Sequence, residues 1–238
     1  MIRRLILRLD PRYVERSELA IYAALARTLN AELLAQLEED ESLDELAALP
    51  FATEICRAGA ISRPLNRDSL HRRSERLMRQ LRTELEEIAR GSTLHWQLIR
   101  TRRSAPLPTD PETALLRAAQ PLRTASVPSA LKPHMAVIHS GDDASERALA
   151  YARRIADSDQ IPLLLLALPD SPWHRAHALP EGVSVRTDLV GYDPATLRPM
   201  LRAWQVELIL IPAGTLADPH DEERLARQLP GVALLITP

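Results

Sequence analysis

Met135-Ala136-Val137-Ile138-His139-Ser140-Gly141-Asp142-Asp143-Ala144-Ser145-Glu146-Arg147-Ala148 is the stretch on which the fold turns. A short apolar run ends at His139 and closes on a Ser-Gly-Asp turn. Ser145-Glu146-Arg147-Ala148 then opens an Ala-rich helix. The next apolar run, Ile161–Leu168, completes a strand–helix–strand unit. The same unit stands at the start of the chain. There Ile2–Leu9 closes on Asp10, Ser17-Glu18-Leu19-Ala20 opens a helix, and Ala31–Leu37 supplies the second strand. A unit that recurs at both ends sets the architecture before any local argument does. It predicts two βαβ-type halves with parallel sheets.

Outward from these units, the two halves are unequal. In the second, the reading continues through a strand at Val183–Val190, a helix at Pro194–Ala203, a strand at Val206–Ile211, a short helix at Asp221–Gln228 and a last strand at Val232–Thr237. In the first, an irregular stretch, Ser42–Asn66, precedes a long helix over Asp68–Arg90. Its apolar stripe is Leu70, Leu77, Leu81, Leu85 and Ile88, Asp68 or Ser69 is its cap, and Gly91 ends it. Thr93–Ile99 reads as a third strand and Pro111–Ala119 as a short helix, with no further strand before the Pro/Ser/Arg-rich linker. The expected domains are residues 1–119, truncated and carrying a long insertion over 38–90, and residues 134–238, joined by a linker over 120–133. Strands alternating with helices imply right-handed crossovers, and ligands on such sheets bind beyond the strands' carboxyl ends at the switch point in strand order.

Composition narrows the function classes. The chain has 238 residues, a formal net charge of −2 and 45% hydrophobic residues. Near-neutral charge argues against a nucleic-acid footprint, which needs clustered cations in surplus. Lys132 is the only lysine and precedes Pro133, so neither a phosphate loop nor a Schiff-base lysine is on offer. One cysteine, Cys56, leaves no intrachain disulfide and no multi-cysteine zinc site. No apolar run approaches the roughly 20 residues that span a bilayer, and Met1–Leu9 is too short and too broken by arginines for a signal peptide. These features predict a cytoplasmic protein without a membrane partner.

These residues resemble the universal stress protein family in its tandem form. Asp10 with Ser17 and Ala20, and Gly141 with Ser145, Ala148 and Leu149, match the turn and helix opening that follow the family's first strand. Leu208-Ile209-Leu210-Ile211 before Gly214 matches its fourth strand, and Leu229-Pro230 before Val232–Ile236 its last. The resemblance implies two flavodoxin/Rossmann-like open sheets with flanking helices, the first truncated. It also implies a non-enzymatic regulatory or binding module in stress response. Nucleotide-binding members carry G-x2-G-x9-G-[ST] after the fourth strand, a nest of backbone N–H groups for phosphates. Here Gly214 is followed by Thr215-Leu216-Ala217-Asp218-Pro219-His220, without the later glycines and with acidic residues near. The candidate ligand-binding positions are therefore remnants: Asp10 on the adenine side of the first half, and Ser140, Gly141 and Gly214 in the second. No cofactor is expected, and the alternative is a weak ATP or AMP complex between the halves with Asp10 at the base. A third reading is a protein-interaction scaffold using the long helix over 68–90.

Other constellations have bland counterparts. His174 and His177 lack further ligands at zinc-like spacing. His139 and Ser140, adjacent on a strand, point to opposite faces and do not make a dyad. Cys56 beside Arg57 suits a small, half-buried residue better than a redox centre. The arginines of the long helix, interleaved with glutamates, suit a solvated face. Val232–Ile236 is apolar on both faces and carries no charge, which predicts a homodimer paired through this last strand unless the linker covers it.

Overall fold

In the computed structural model the described residues are all except 15, 57–60, 103–109, 120–133, 175–182, 190, 192 and 217–220. Eleven strands and six α-helices are described. They run β1 (Arg4–Leu9), α1 (Arg16–Leu29), β2 (Glu32–Glu39), α2 (Glu41–Leu46), β3 (Thr53–Cys56), β4 (Ile61–Pro64), α3 (Arg67–Ala89), β5 (Trp96–Arg102) and β6 (Thr113–Arg117). The second half follows with β7 (His134–His139), α4 (Asp143–Asp159), β8 (Leu163–Ala167), β9 (Val183–Arg186), α5 (Pro194–Ala203), β10 (Val206–Pro212), α6 (Asp221–Gln228) and β11 (Ala233–Thr237).

The two halves share one sheet. Its nine strands run β5-β2-β1-β6-β11-β10-β7-β8-β9. In this sheet all pairs within each half are parallel. The seam is antiparallel, with Leu116 opposite Leu235. It follows that β1 and β7 run in opposite directions, and their carboxyl ends lie at opposite margins of the sheet.

Two cores lie on opposite faces, as alternation along a strand requires. On one face Leu5, Leu7 and Leu9 of β1 join Leu19, Ala23 and Ala26 of α1, Leu81 and Leu85 of α3, and Leu149 and Ala152 of α4. On the other, Ala136, Ile138, Ile209 and Ile211 pack with Leu197 and Leu201 of α5 and Leu225 of α6. α1 and α3 both serve the first face. Among the described residues, no helix of the first half covers the second.

Four expectations change. The expected helix over Pro111–Ala119 is instead the strand β6, buried throughout, because Leu115 and Leu116 gain more from filling the sheet between β1 and β11 than from local helix propensity. The first half thus has four strands in the shared sheet rather than three. The stretch Ser42–Asn66 is not irregular: it forms α2 and the antiparallel ribbon β3–β4, a separate two-stranded sheet. The cap of α3 is Asn66, whose side chain accepts the Ser69 N–H at 2.7 Å, not Asp68 or Ser69. The edge argument for a homodimer also changes, since β11 is flanked by β10 and β6 in its own chain and has no free edge for a second copy. The linker over 120–133 lies outside the described residues.

Candidate functional site

Each half has a switch point between its first strand and the strand that doubles back beside it. In the first half this is the β1–β6 crevice, and the sequence places arginines there. Arg8 and Arg117 are register partners on adjacent strands, pointing away from the leucines that feed the α1 core. Two guanidinium groups side by side in the sheet would repel and desolvate at heavy cost. Carboxylates from two directions prevent that.

Glu38, near the end of β2, takes Arg117 in a two-point pair, Nη1 to Oε2 at 3.1 Å and Nη2 to Oε1 at 3.0 Å. Glu222, from α6 of the other half, accepts Arg8 Nη1 at 2.7 Å and Arg117 Nη2 at 2.6 Å on the same oxygen. All four are nearly sealed: Arg8 is 4% exposed, Glu38 3%, Arg117 5% and Glu222 1%. Burial pushes the Glu38 carboxyl above its ordinary value, against the pull of Arg117 and Arg8. The cluster sums to zero charge, and its carboxylates engage the donors that would otherwise meet an anion.

Asp10, the expected base-side contact, lies just above on a shallow pocket lined by Arg8, Asp10, Tyr13, Val14, Arg117, Ala118 and Ala119. Its carboxylate is already held. Arg12 grips it at both oxygens, 2.8 and 2.5 Å, and the Arg12 backbone N–H donates to Oδ1 at 3.0 Å. Arg12 also stacks over Tyr13 at 5.4 Å from the ring centre.

The second crevice, between β7 and β10, brings Ser140, Gly141 and Gly214 to one margin of the sheet, opposite to Asp10. The four candidate positions therefore form two separate places, not one site between the halves, and the alternative that needed Asp10 and the second-half residues around one nucleotide is not met. Gly141 has a structural reason to be glycine. Its φ is +98°, and a Cβ there would come within 2.4 Å of the Asp170 carbonyl oxygen. Its N–H donates to Ser145 Oγ at 3.1 Å, so it is not waiting for a phosphate. Asp142 caps α4 by accepting the Ser145 N–H at 2.7 Å, which holds its carboxyl below the usual range. Gly214 lies in a single 3-10 turn, Ala213–Thr215, with open space where a Cβ would be. The hydroxyls of Thr215 and Thr237, at the ends of β10 and β11, are buried without a hydrogen-bond partner among the described residues.

His139 faces away from Ser140, as alternation predicted, and finds a different serine. Ser171 Oγ lies 3.0 Å from His139 Nδ1, and Glu146 Oε1 lies 3.2 Å from Nε2. Hydroxyl, imidazole and carboxylate in that order have the polarity of a nucleophilic triad. Ser171, however, is 4% exposed and its oxygen also accepts the Trp173 N–H at 3.2 Å, which leaves no approach for a carbonyl carbon. The Ser171–His139 hydrogen bond fastens the loop after β8 to β7. Burial lowers the His139 pKa, and Glu146 opposes that shift.

Sequence reasoning missed all four members of the buried cluster. The available signal was an arginine inside each of two leucine-rich strands, Arg-Leu-Ile-Leu-Arg-Leu and Thr-Ala-Leu-Leu-Arg. Among the described residues no group of three His, Cys, Asp or Glu side chains could hold a metal ion, and no helix is long and apolar enough to cross a membrane. His177 lies outside the described residues, as do the surroundings of the Cys56 side chain.

The strand order, with each half's first strand between its second and its doubling-back strand, defines a pair of joined open α/β sheets. No protein-family model matches the chain, and no curated relative does. Solved structures do. The chain is similar to a universal stress protein from Archaeoglobus fulgidus DSM 4304, with TM-score 0.52 and 9% identity over 98% of this chain and 95% of that one. It is also similar to a functionally unknown protein from Pseudomonas aeruginosa PAO1, with TM-score 0.49 and 12% identity over 99% and 92%. The first of these establishes the architecture: the chain has a universal-stress-protein fold, with one sheet running through both halves.

Proposed function

We propose that this protein is a non-enzymatic regulatory or binding module of the universal-stress-protein type, acting in stress response, in which neither crevice serves ATP. The observation that carries this reading is the Arg8–Glu38–Arg117–Glu222 cluster. It fills the floor of the first crevice with matched charge and uses a residue from the other half to do so. Arg12 on Asp10 closes the base side. In the second crevice the Gly141 N–H is engaged, and the sequence after Gly214 lacks the later glycines of a phosphate nest. Hydrogen bonds to charged groups are worth about 1.5–3 kcal/mol each, so losing two such donors weakens a triphosphate complex by roughly a hundredfold or more. Isothermal titration of the full chain with ATP and magnesium tests this: no saturable heat at micromolar concentrations is expected, and a low-micromolar complex overturns it.

A second reading keeps a weak adenine nucleotide, ATP or AMP, in the second crevice alone. The hydroxyls of Thr215 and Thr237, buried without a hydrogen-bond partner among the described residues, favour it, since such groups ordinarily find a partner. Under this reading Thr215→Val abolishes a weak AMP or ATP signal, whereas Glu222→Gln leaves it unchanged.

A further inference from the structure

The insertion between β2 and β5 leaves the largest exposed apolar side chains in the described molecule after Met1. Phe51 is 78% exposed and Ile55 69%, with Leu43, Leu46 and Leu49 exposed beside them in sequence. α2 buries none of its residues. The ribbon β3–β4 shows why Ile55 is outside. Glu54 and Arg63 are register partners on one face, and there Glu54 pairs with both Arg63 and Arg73 of α3. Alternation sends Thr53, Ile55, Ser62 and Pro64 to the other face, away from α3. A two-stranded ribbon is marginal by itself in water, and here its apolar face is the one turned outward.

Cations line the neighbouring helix. From Arg67 to Arg82, α3 carries six arginines against Asp68 and Glu75, before its last turns add Glu84, Glu86 and Glu87. Arg72, Arg76 and Arg79 recur at helical spacing along the exposed side of α3 and make no ion pair among the described residues. Arg73, which reaches the ribbon, stands beside them. The competing negative charge is partly engaged: Glu54 is shared by two arginines, Glu41 is paired with Arg102 at 2.8 Å, Glu75 is paired with Arg100, and Asp44 and Glu45 lie in α2, before Phe51.

We infer that the ribbon and α3 form a docking face for an anionic lipid bilayer, with Phe51 and Ile55 entering the headgroup region and the α3 arginines meeting lipid phosphates and carboxylates. Exposed apolar side chains next to a helix of exposed cations are the elements that interfacial binding uses. Nucleic acid would satisfy the arginines but leave Ile55 and the leucines with nothing to bury against, and the patch holds one aromatic side chain for stacking. The expectation of no membrane partner rested on the lack of a spanning segment. Lying on a bilayer requires none.

Co-sedimentation of the full chain with vesicles decides it, comparing phosphatidylcholine alone with phosphatidylcholine containing about a third phosphatidylserine. Binding to the anionic vesicles is expected to be at least about tenfold stronger and to fall as salt rises. Phe51→Ser with Ile55→Ser should remove it, and so should Arg72→Glu with Arg76→Glu and Arg79→Glu. All five positions are exposed, so circular dichroism should be unchanged. If the ribbon pair loses structure, the arginine triple decides the question. Absence of binding to the anionic vesicles, or equal binding to both kinds, overturns the inference. So does binding that both variants retain, or duplex DNA binding that survives Phe51→Ser with Ile55→Ser, which would make the face a nucleic-acid contact instead.

Discussion

β1 and β7 hold the same place in their halves and are buried differently. β1 reads Arg-Leu-Ile-Leu-Arg-Leu, with its leucines under α1 and α3 and Arg4 and Ile6 not fully buried on the opposite face. β7 reads His-Met-Ala-Val-Ile-His and is buried from Met135 to His139, with helices above and below. A parallel sheet normally hides both faces, and its strands then read as unbroken apolar runs. Alternation in β1 therefore marks a helix layer that the first half does not supply. The half that lacks it has turned a crevice floor into a salt-bridge cluster and draws the last carboxylate from its neighbour. Glu222 joins the halves there, beside the β6–β11 seam and the core that α1 shares with α4.

Removing that carboxylate is the hardest test of the contrast. Glu222→Ala leaves Arg8 and Arg117 buried with Glu38 alone, and breaking one side of a buried ion pair costs about 3–5 kcal/mol. Urea unfolding followed by circular dichroism should show a loss of this size. Arg186→Ala, which breaks the exposed Arg186–Asp188 pair, should leave the urea midpoint almost unchanged, because solvent screens such a pair. A deficit equally small for Glu222→Ala would mean that the cluster is hydrated and that the halves are held by the β6–β11 seam and the shared core instead. Replacing all four charges by apolar residues of similar volume should recover most of the loss, because the cluster is valuable only when complete.

Leu81 probes the helix layer that the first half does have. It is fully buried in α3 against the sheet core, so Leu81→Ala should destabilise by about 3 kcal/mol in the same assay. Leu70, half-buried near the start of the helix, should lose distinctly less. Equal losses would place the whole stripe in the core rather than its second half.

Legibility in the sequence followed the same divide. The second half declared itself: α5 and α6 begin and end as read, because Asp193, Pro194 and the acidic first turn of α6 are local signals. β6 was misread because Thr113-Ala114-Leu115-Leu116-Arg117 has no local feature against a helix; its state is set by β1 and β11 on either side. α2 and the ribbon escaped because short elements with no buried stripe leave no periodicity to read. Of the candidate positions, Ser140, Gly141 and Gly214 share one margin because adjacent parallel strands bring their carboxyl ends together. The charge cluster could not be assembled from spacing. Glu222 lies 105 residues from Arg117 and 214 from Arg8, and only the antiparallel seam brings them together.

A smaller effect belongs to the turn that ends β7. Asp142→Ala removes the cap of α4 and should cost about 1 kcal/mol near neutral pH. The Asp142 pKa is held below its ordinary value by the Ser145 N–H. Its contribution is therefore present above the unfolded-state carboxylate value and is lost as pH falls through the folded one. The variant's deficit should shrink on acidification. A deficit that persists unchanged at low pH would show that Asp142 acts through packing and not through its charge.

His139 gives the smallest effect and separates the halves by pH. It is fully buried between β7, α4 and the loop after β8, facing Ser171, Glu146 and Asp142. The two described histidines between β1 and β6, His71 and His95, are exposed. Burial lowers the folded pKa of His139 below its ordinary value, although Glu146 and Asp142 pull the other way. In the unfolded chain the imidazole titrates near about 6.5, so just below that pH the unfolded state holds more protons than the folded one. Stability then rises with pH, is fully present above the unfolded value, and is lost as pH falls through the folded one. The slope must stay below about 1.4 kcal/mol per pH unit, the limit for one whole proton. His139→Asn can still accept the Ser171 hydroxyl but cannot take up a proton, and urea midpoints measured from pH 7.5 down to about 5 should flatten relative to the parent chain. Flattening of this kind would place the pH-sensitive joint in the second half, where both faces are sealed. An unchanged slope would show that His139 is not the pH-sensitive group.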